Sequence, residues 1–118
     1  MKIGIHSSKM FNDYGVFTRA MGVALSPLKY HSDDTSLQIY CAGPWKLSNY
    51  VSGFVNLAED GMKNRGMSIK MVRVPLSVLE EKVGEFSAFY YLQTPTEGRS
   101  RVCRKAEEAG TEVFIFRY

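Results

Sequence analysis

The feature that most constrains the fold is the order in which the apolar period changes along the chain. Short β-branched or aromatic runs alternate with segments of helical spacing, from one end to the other. Residues 2–6 carry Ile3 and Ile5, stop at Ser7-Ser8, and read as a strand. Residues 13–26 place Phe17, Ala20, Met21, Ala24 and Leu25 on one helical face. Asn12 or Asp13 can cap that helix, and Pro27 is expected to close it. A polar loop follows at 31–36, then a second apolar run at 37–41, broken by Ala42-Gly43-Pro44. Leu47, Val51, Phe54, Ala58 and Met62 mark a second amphipathic helix, with Gly66 as its stop. Residues 69–74 form a third strand, ended by Pro75. Ser77-x-x-Glu80 has capping-box spacing and is expected to open a short helix to Val83.

The most continuously apolar stretch is 86–92. A strand covered on both faces reads this way, which places it inside a parallel sheet, with Tyr90 and Tyr91 facing opposite layers. Residues 93–100 are a polar turn. Residues 101–109 set Val102, Ala106 and Ala109 on one face before Gly110, and 111–118 is the last strand. The order β-α-β-α-β-α-β-α-β requires right-handed crossovers whose helices cover both faces of a parallel sheet. The predicted architecture is α/β: a single three-layer α/β/α Rossmann-like sandwich over residues 1–118, with a five-stranded sheet in the order 3-2-1-4-5. The flavodoxin-like order 2-1-3-4-5 is the alternative.

Composition limits the function classes. A chain of 118 residues fits one compact domain, and 45% hydrophobic with 23% charged residues is globular. No apolar run approaches the roughly 18 residues of a membrane span. The early polar residues of Met1-Lys2-Ile3-Gly4-Ile5-His6 do not fit a signal peptide, so a cytoplasmic location is expected. A net charge of +3 is too mild to point to nucleic acid, and no such motif accompanies the basic stripe of Arg99, Arg101, Arg104 and Lys105. Cys41 and Cys103 lack metal or redox spacing and read as small apolar fillers, which suits a reducing compartment. His6 and His31 have no second ligand at metal spacing. The sequence implies neither a metal nor a cofactor.

In such a sheet, ligands sit beyond the carboxyl ends of the strands, near the reversal of strand order. The loops there are His6-Ser7-Ser8-Lys9, Ala42-Gly43-Pro44-Trp45-Lys46, and Thr94 through Arg101. They combine small residues, hydroxyls and cations, and each leads into a helix N-terminus, whose free amides favour an anion. The candidate ligand-binding residues are Ser7, Ser8, Lys9, Gly43, Trp45, Gly98, Arg99, Ser100 and Arg101. Each also has a plainer reading. Ser7 and Ser8 suit turns, His6 a strand end, Trp45 packing at the sheet edge, and the arginines a solvated face. Thr94-x-x-Glu97 with Pro95 also fits a capping box, at the cost of placing Gly98 inside a helix.

Together these loops resemble the SLOG superfamily, the small Rossmann-like folds related to Lonely-Guy and Smf/DprA proteins. Ile3-Gly4-Ile5-His6-Ser7-Ser8-Lys9 is similar to the first strand and its small-residue loop. Cys41-Ala42-Gly43-Pro44 is similar to the glycine pair ending strand 2, and residues 95–101 to the proline-glycine loop after strand 4. Residues 106–113 are similar to the closing helix-to-strand turn. The resemblance implies binding of a nucleotide, a nucleotide-derived signal or, in some branches, nucleic acid. Some members cleave or transfer at N-glycosidic bonds, and some form homodimers through helices. Lonely-Guy hydrolases carry P-G-G-x-G-T-x-x-E. Here Thr96 and Glu97 replace the glycine pair, and Cys103 stands at the glutamate position.

The leading expectation is therefore a binding module that senses or sequesters a phosphorylated nucleotide or a derivative. The alternative is a small interaction protein with a vestigial pocket, anchored to a protein partner by aromatics such as Trp45, Tyr50 and Tyr118. A further alternative is an N-glycosidic-bond hydrolase or transferase using Glu97, the one carboxylate that the loops place near the crevice.

Overall fold

The computed structural model describes residues 1–30, 35–95, 97–98 and 100–117, the side chains of 27–30 excepted. Arg99, a candidate ligand residue, lies outside the described residues, as do His31, Thr96 and Tyr118. The elements alternate as expected: β1 (Lys2–Ser7), α1 (Tyr14–Tyr30), β2 (Ser36–Cys41), α2 (Trp45–Asn64), β3 (Ser68–Arg73), α3 (Leu76–Lys82), β4 (Ala88–Gln93), α4 (Arg101–Glu108) and β5 (Glu112–Arg117). A 3₁₀ turn at Val83–Glu85 follows α3. The five strands form an all-parallel sheet in the order β3-β2-β1-β4-β5, the Rossmann-like order predicted from the sequence.

Strand alternation sorts the side chains into two layers. Ile3, Ile5, Leu37, Ile39, Tyr90 and Leu92 face α1 and α2, whose Phe17, Ala20, Met21, Leu47 and Val51 bury against them. Tyr40, Phe89 and Tyr91 face the other way, with Leu79 of α3 and Val102, Cys103 and Ala106 of α4. Tyr90 and Tyr91 thus face opposite layers. β4 is buried at every position, which accounts for its unbroken apolar run.

Gly4 is the one small residue in the middle of β1. It pairs with Tyr40 on one side and Phe89 on the other. A Cβ there would lie 2.5 Å from Phe86 Cε2 and 2.7 Å from Phe89 Cδ2. The missing side chain is what lets the two rings lie stacked over the sheet, with centroids 6.5 Å apart.

Two local expectations are corrected. Pro27 does not close α1, which runs on to Tyr30. A proline withdraws its own N–H from the ladder and crowds the carbonyl four residues back, but here only the last turn of the helix follows it. Ser77 does not cap α3. Pro75 takes the cap position with extended backbone (φ −61°, ψ 154°), and no side chain bonds the first amides. Proline is preset for that conformation, so the helix is already under way at Ser77, and Glu80 is left to point elsewhere. At α1 the cap is Asp13, whose Oδ1 accepts from the Val16 amide at 3.0 Å.

Candidate functional site

Because the sheet is parallel, β1, β2 and β4 end at one edge. The loops after them meet on a cleft of about 740 Å³. Its lining includes His6, Ser7 and Lys9 from the first loop, Ala42 and Pro44 from the second, and Glu97, Gly98, Ser100 and Arg101 from the third. Leu76 and Glu80 of α3, Tyr91 of β4 and Val102 of α4 complete it. Residues 6–9 therefore share one rim with 97–98 and 100–101, although about 90 positions separate them along the chain.

Glu97 fastens this rim. Its Oε2 accepts from the Ser8 hydroxyl and its Oε1 from the Tyr91 hydroxyl. Ser8 Oγ in turn accepts from the Thr94 amide at 2.9 Å, and the Ser8 amide donates to the Leu92 carbonyl at 2.9 Å. Behind the loop, Gln93 Nε2 donates to the carbonyls of Glu97 (2.8 Å) and Gly98 (3.5 Å). The capping box Thr94-x-x-Glu97 does not form. The helix starts only at Arg101, after Ser100, because the Glu97 carboxylate is drawn to two hydroxyls instead. Burial, and then Glu97 as hydrogen-bond partner and as charge, pushes the Tyr91 phenol well above its ordinary range.

His6 sits beside Tyr91 in the register, with ring centroids 6.0 Å apart. Its Nδ1 lies 2.7 Å from the Gly43 carbonyl oxygen. A carbonyl can only accept, so Nδ1 carries the proton. Burial lowers the His6 pKa, against the opposing pull of the Gly43 bond and of the Glu97 and Glu80 charges. Gly43 holds φ at +100°, in the left-handed region that favours glycine, and its carbonyl meets the ring at Nδ1. Cys41, at the end of β2, has its thiol pKa raised by burial and stays a thiol.

The candidate residues take different places. Lys9 lines the cleft, is exposed, and has no ion-pair partner among the described residues. Ser7 lines it too, but its hydroxyl donates to the Ser8 carbonyl at 3.0 Å. Ser8 is 4% exposed and lies behind the lining, so its hydroxyl holds the loops together. Gly43 shapes the turn between two lining residues. Gly98 and Ser100 line the cleft. Arg101 does so as well, but its Nε lies 3.7 Å from Glu80 Oε2, which Lys105 Nζ approaches at the same distance. Trp45 is 73% exposed and stands outside the lining, with Lys46 Nζ 5.9 Å from its ring centroid.

Sequence reasoning gave no role in the site to Tyr91 or Glu80. Tyr91 read only as a buried strand residue, although it lies near the carboxyl end of a strand flanking the order reversal, which was the available signal. Glu80 stands at capping-box spacing from Ser77, but that cap does not form. Its side chain is 13% exposed and crosses to α4, where it answers part of the basic charge. The cleft thus carries both signs rather than a uniformly positive lining.

Among the described residues no cluster of His, Cys, Asp or Glu could hold a metal, and no helix is long and apolar enough to cross a membrane. Comparison with protein-family models, with curated proteins and with solved structures finds no match.

Proposed function

We propose that the cleft binds a phosphorylated nucleotide or a nucleotide-derived molecule, in a protein that senses or sequesters it. The observation that carries this reading is the meeting of residues 6–9, 42–44, 97–98 and 100–101 on one cleft at the carboxyl edge of the sheet. That is where ligands of parallel α/β sheets bind. Its volume falls in the roughly 300–1,000 Å³ range of small-molecule sites.

The parts of such a ligand find suitable surroundings. Lys9 offers a charge with no described partner. α2 and α4 both begin without a side-chain cap and without an acidic residue in the first turn, so the positive ends of their dipoles favour an anion. Pro44 and Leu76 give an apolar wall for a base. The similarity of the three loops to SLOG proteins supports the same class of ligand.

A bound ligand raises the apparent stability by mass action. Nucleoside 5′-monophosphates are expected to raise the melting temperature dose-dependently, and the matching nucleosides to do so less. Lys9→Ala, on an exposed residue, should leave the unliganded melting point unchanged and weaken monophosphate binding about tenfold, the loss of one charge-assisted contact. Unchanged affinity in that variant would count against the reading.

A further inference from the structure

Resting on the nucleotide reading above, we propose that the cleft selects a ligand with a free vicinal diol. The diol would be held by His6 Nε2 and the Glu97 carboxylate, so that ribonucleotides are preferred over their 2′-deoxy counterparts. What decides the preference is the hydrogen-bonding capacity that remains once the protein's own bonds are made.

At His6, the Gly43 carbonyl fixes the proton on Nδ1. The neutral ring then has a bare lone pair on Nε2, which has no partner among the described residues, and the ring lines the cleft. At Glu97, an ionised carboxylate offers about four lone-pair sites. Ser8 and Tyr91 take one on each oxygen, which leaves acceptor capacity on both. His6 and Glu97 flank Tyr91, the first by its ring and the second on its hydroxyl. His6 and Glu97 therefore both accept, and the protons of His6 Nδ1 and of the Tyr91 hydroxyl are already given to Gly43 and Glu97.

An ionised phosphate also only accepts, so these groups turn it away, toward Lys9. A sugar hydroxyl has the hydrogen that they lack. Two acceptors on either side of one tyrosine suit two adjacent hydroxyls. The carboxylate is also preorganised. Ser8 and Tyr91 hold its oxygens, and Gln93 holds its backbone, so little ordering remains to oppose binding. A site built to hydrogen-bond a hydroxyl discriminates strongly against the analogue without it, because the site's own polar groups are left unpaired.

The test is isothermal titration of the four ribonucleoside 5′-monophosphates and their 2′-deoxy counterparts into the unmodified protein. In at least one pair the ribo form is expected to bind about tenfold more tightly or better, as for a hydrogen bond to a charged group. Glu97→Gln, which keeps the size but replaces one acceptor oxygen with a donor, should remove most of that difference. His6→Phe should reduce it too. Equal affinity within every pair that binds, or a preference that survives both substitutions, overturns the diol proposal and leaves the nucleotide reading standing. Binding by none of the eight removes the nucleotide reading and the proposal with it.

Discussion

Gly4→Ala is expected to lower stability by about 2 kcal/mol and the melting temperature by roughly 8 °C, within the range for forcing a methyl group into a packed core. The new Cβ would lie 2.5 and 2.7 Å from Phe86 Cε2 and Cδ2, and 2.7 Å from Phe89 Cδ2. Neither ring can give way easily. Both are buried, and Phe86 is backed by Tyr40 at 5.2 Å between centroids. Gly4→Val should cost more. Trimming the obstructing ring supplies a check: in the double variant Gly4→Ala/Phe86→Leu, the two losses should add to less than their sum, because one relieves the other. Gly53→Ala is the control. Gly53 lies on the exposed side of α2, where an added methyl group would meet nothing within 4 Å, and alanine there should stabilise by about 0.5–1 kcal/mol. Chemical denaturation of these variants and of Phe86→Leu alone settles the comparison. A Gly4→Ala protein as stable as the parent would contradict the packing described over β1.

Ser8→Ala should have the larger effect of the two serine substitutions. Its hydroxyl donates to Glu97 and accepts from the Thr94 amide, tying the loop after β1 to the loop after β4. Alanine leaves a backbone N–H without its acceptor and a carboxylate without one donor, at a cost of about 1–3 kcal/mol. Amide exchange at Thr94 should quicken more than exchange in the middle of β4, because the loop loosens before the sheet opens. Ser7→Ala removes only a donation to the neighbouring Ser8 carbonyl and should cost about 1 kcal/mol or less. Equal losses in the two variants, or unchanged exchange at Thr94, would mean that Ser8 does not fasten the rim.

The sheet order was legible because it follows from alternation. Each amphipathic segment between two apolar runs forces a crossover, and crossovers of one hand leave few topologies. The location of the cleft follows from that order, since loops after adjacent parallel strands share an edge. What the sequence did not reveal is which side chains bind one another across the cleft. Ser8 and Glu97 are 89 positions apart, and their hydrogen bond depends on the register of β1 against β4. Glu97 and Glu80 both stood at capping-box spacing, a local pattern that competes with tertiary partners. In each case the tertiary partner prevails: Ser8 and Tyr91 for Glu97, Arg101 and Lys105 for Glu80. Pro27 misled for a related reason. A local breaker predicts a boundary, but one proline at the start of the last turn does not end this helix.

The ligand reading is tested most directly by where a ligand is felt. In a ¹H–¹⁵N correlation spectrum, titration with a ribonucleoside 5′-monophosphate is expected to move the amides of residues 6–9, 42–43, 97–98 and 101–102 together, along a single saturating curve. Amides of β3 and of the outer face of α2 around Leu57 should stay in place. Shifts confined to residues away from that rim, or no saturable shift with any of the four monophosphates, would contradict it.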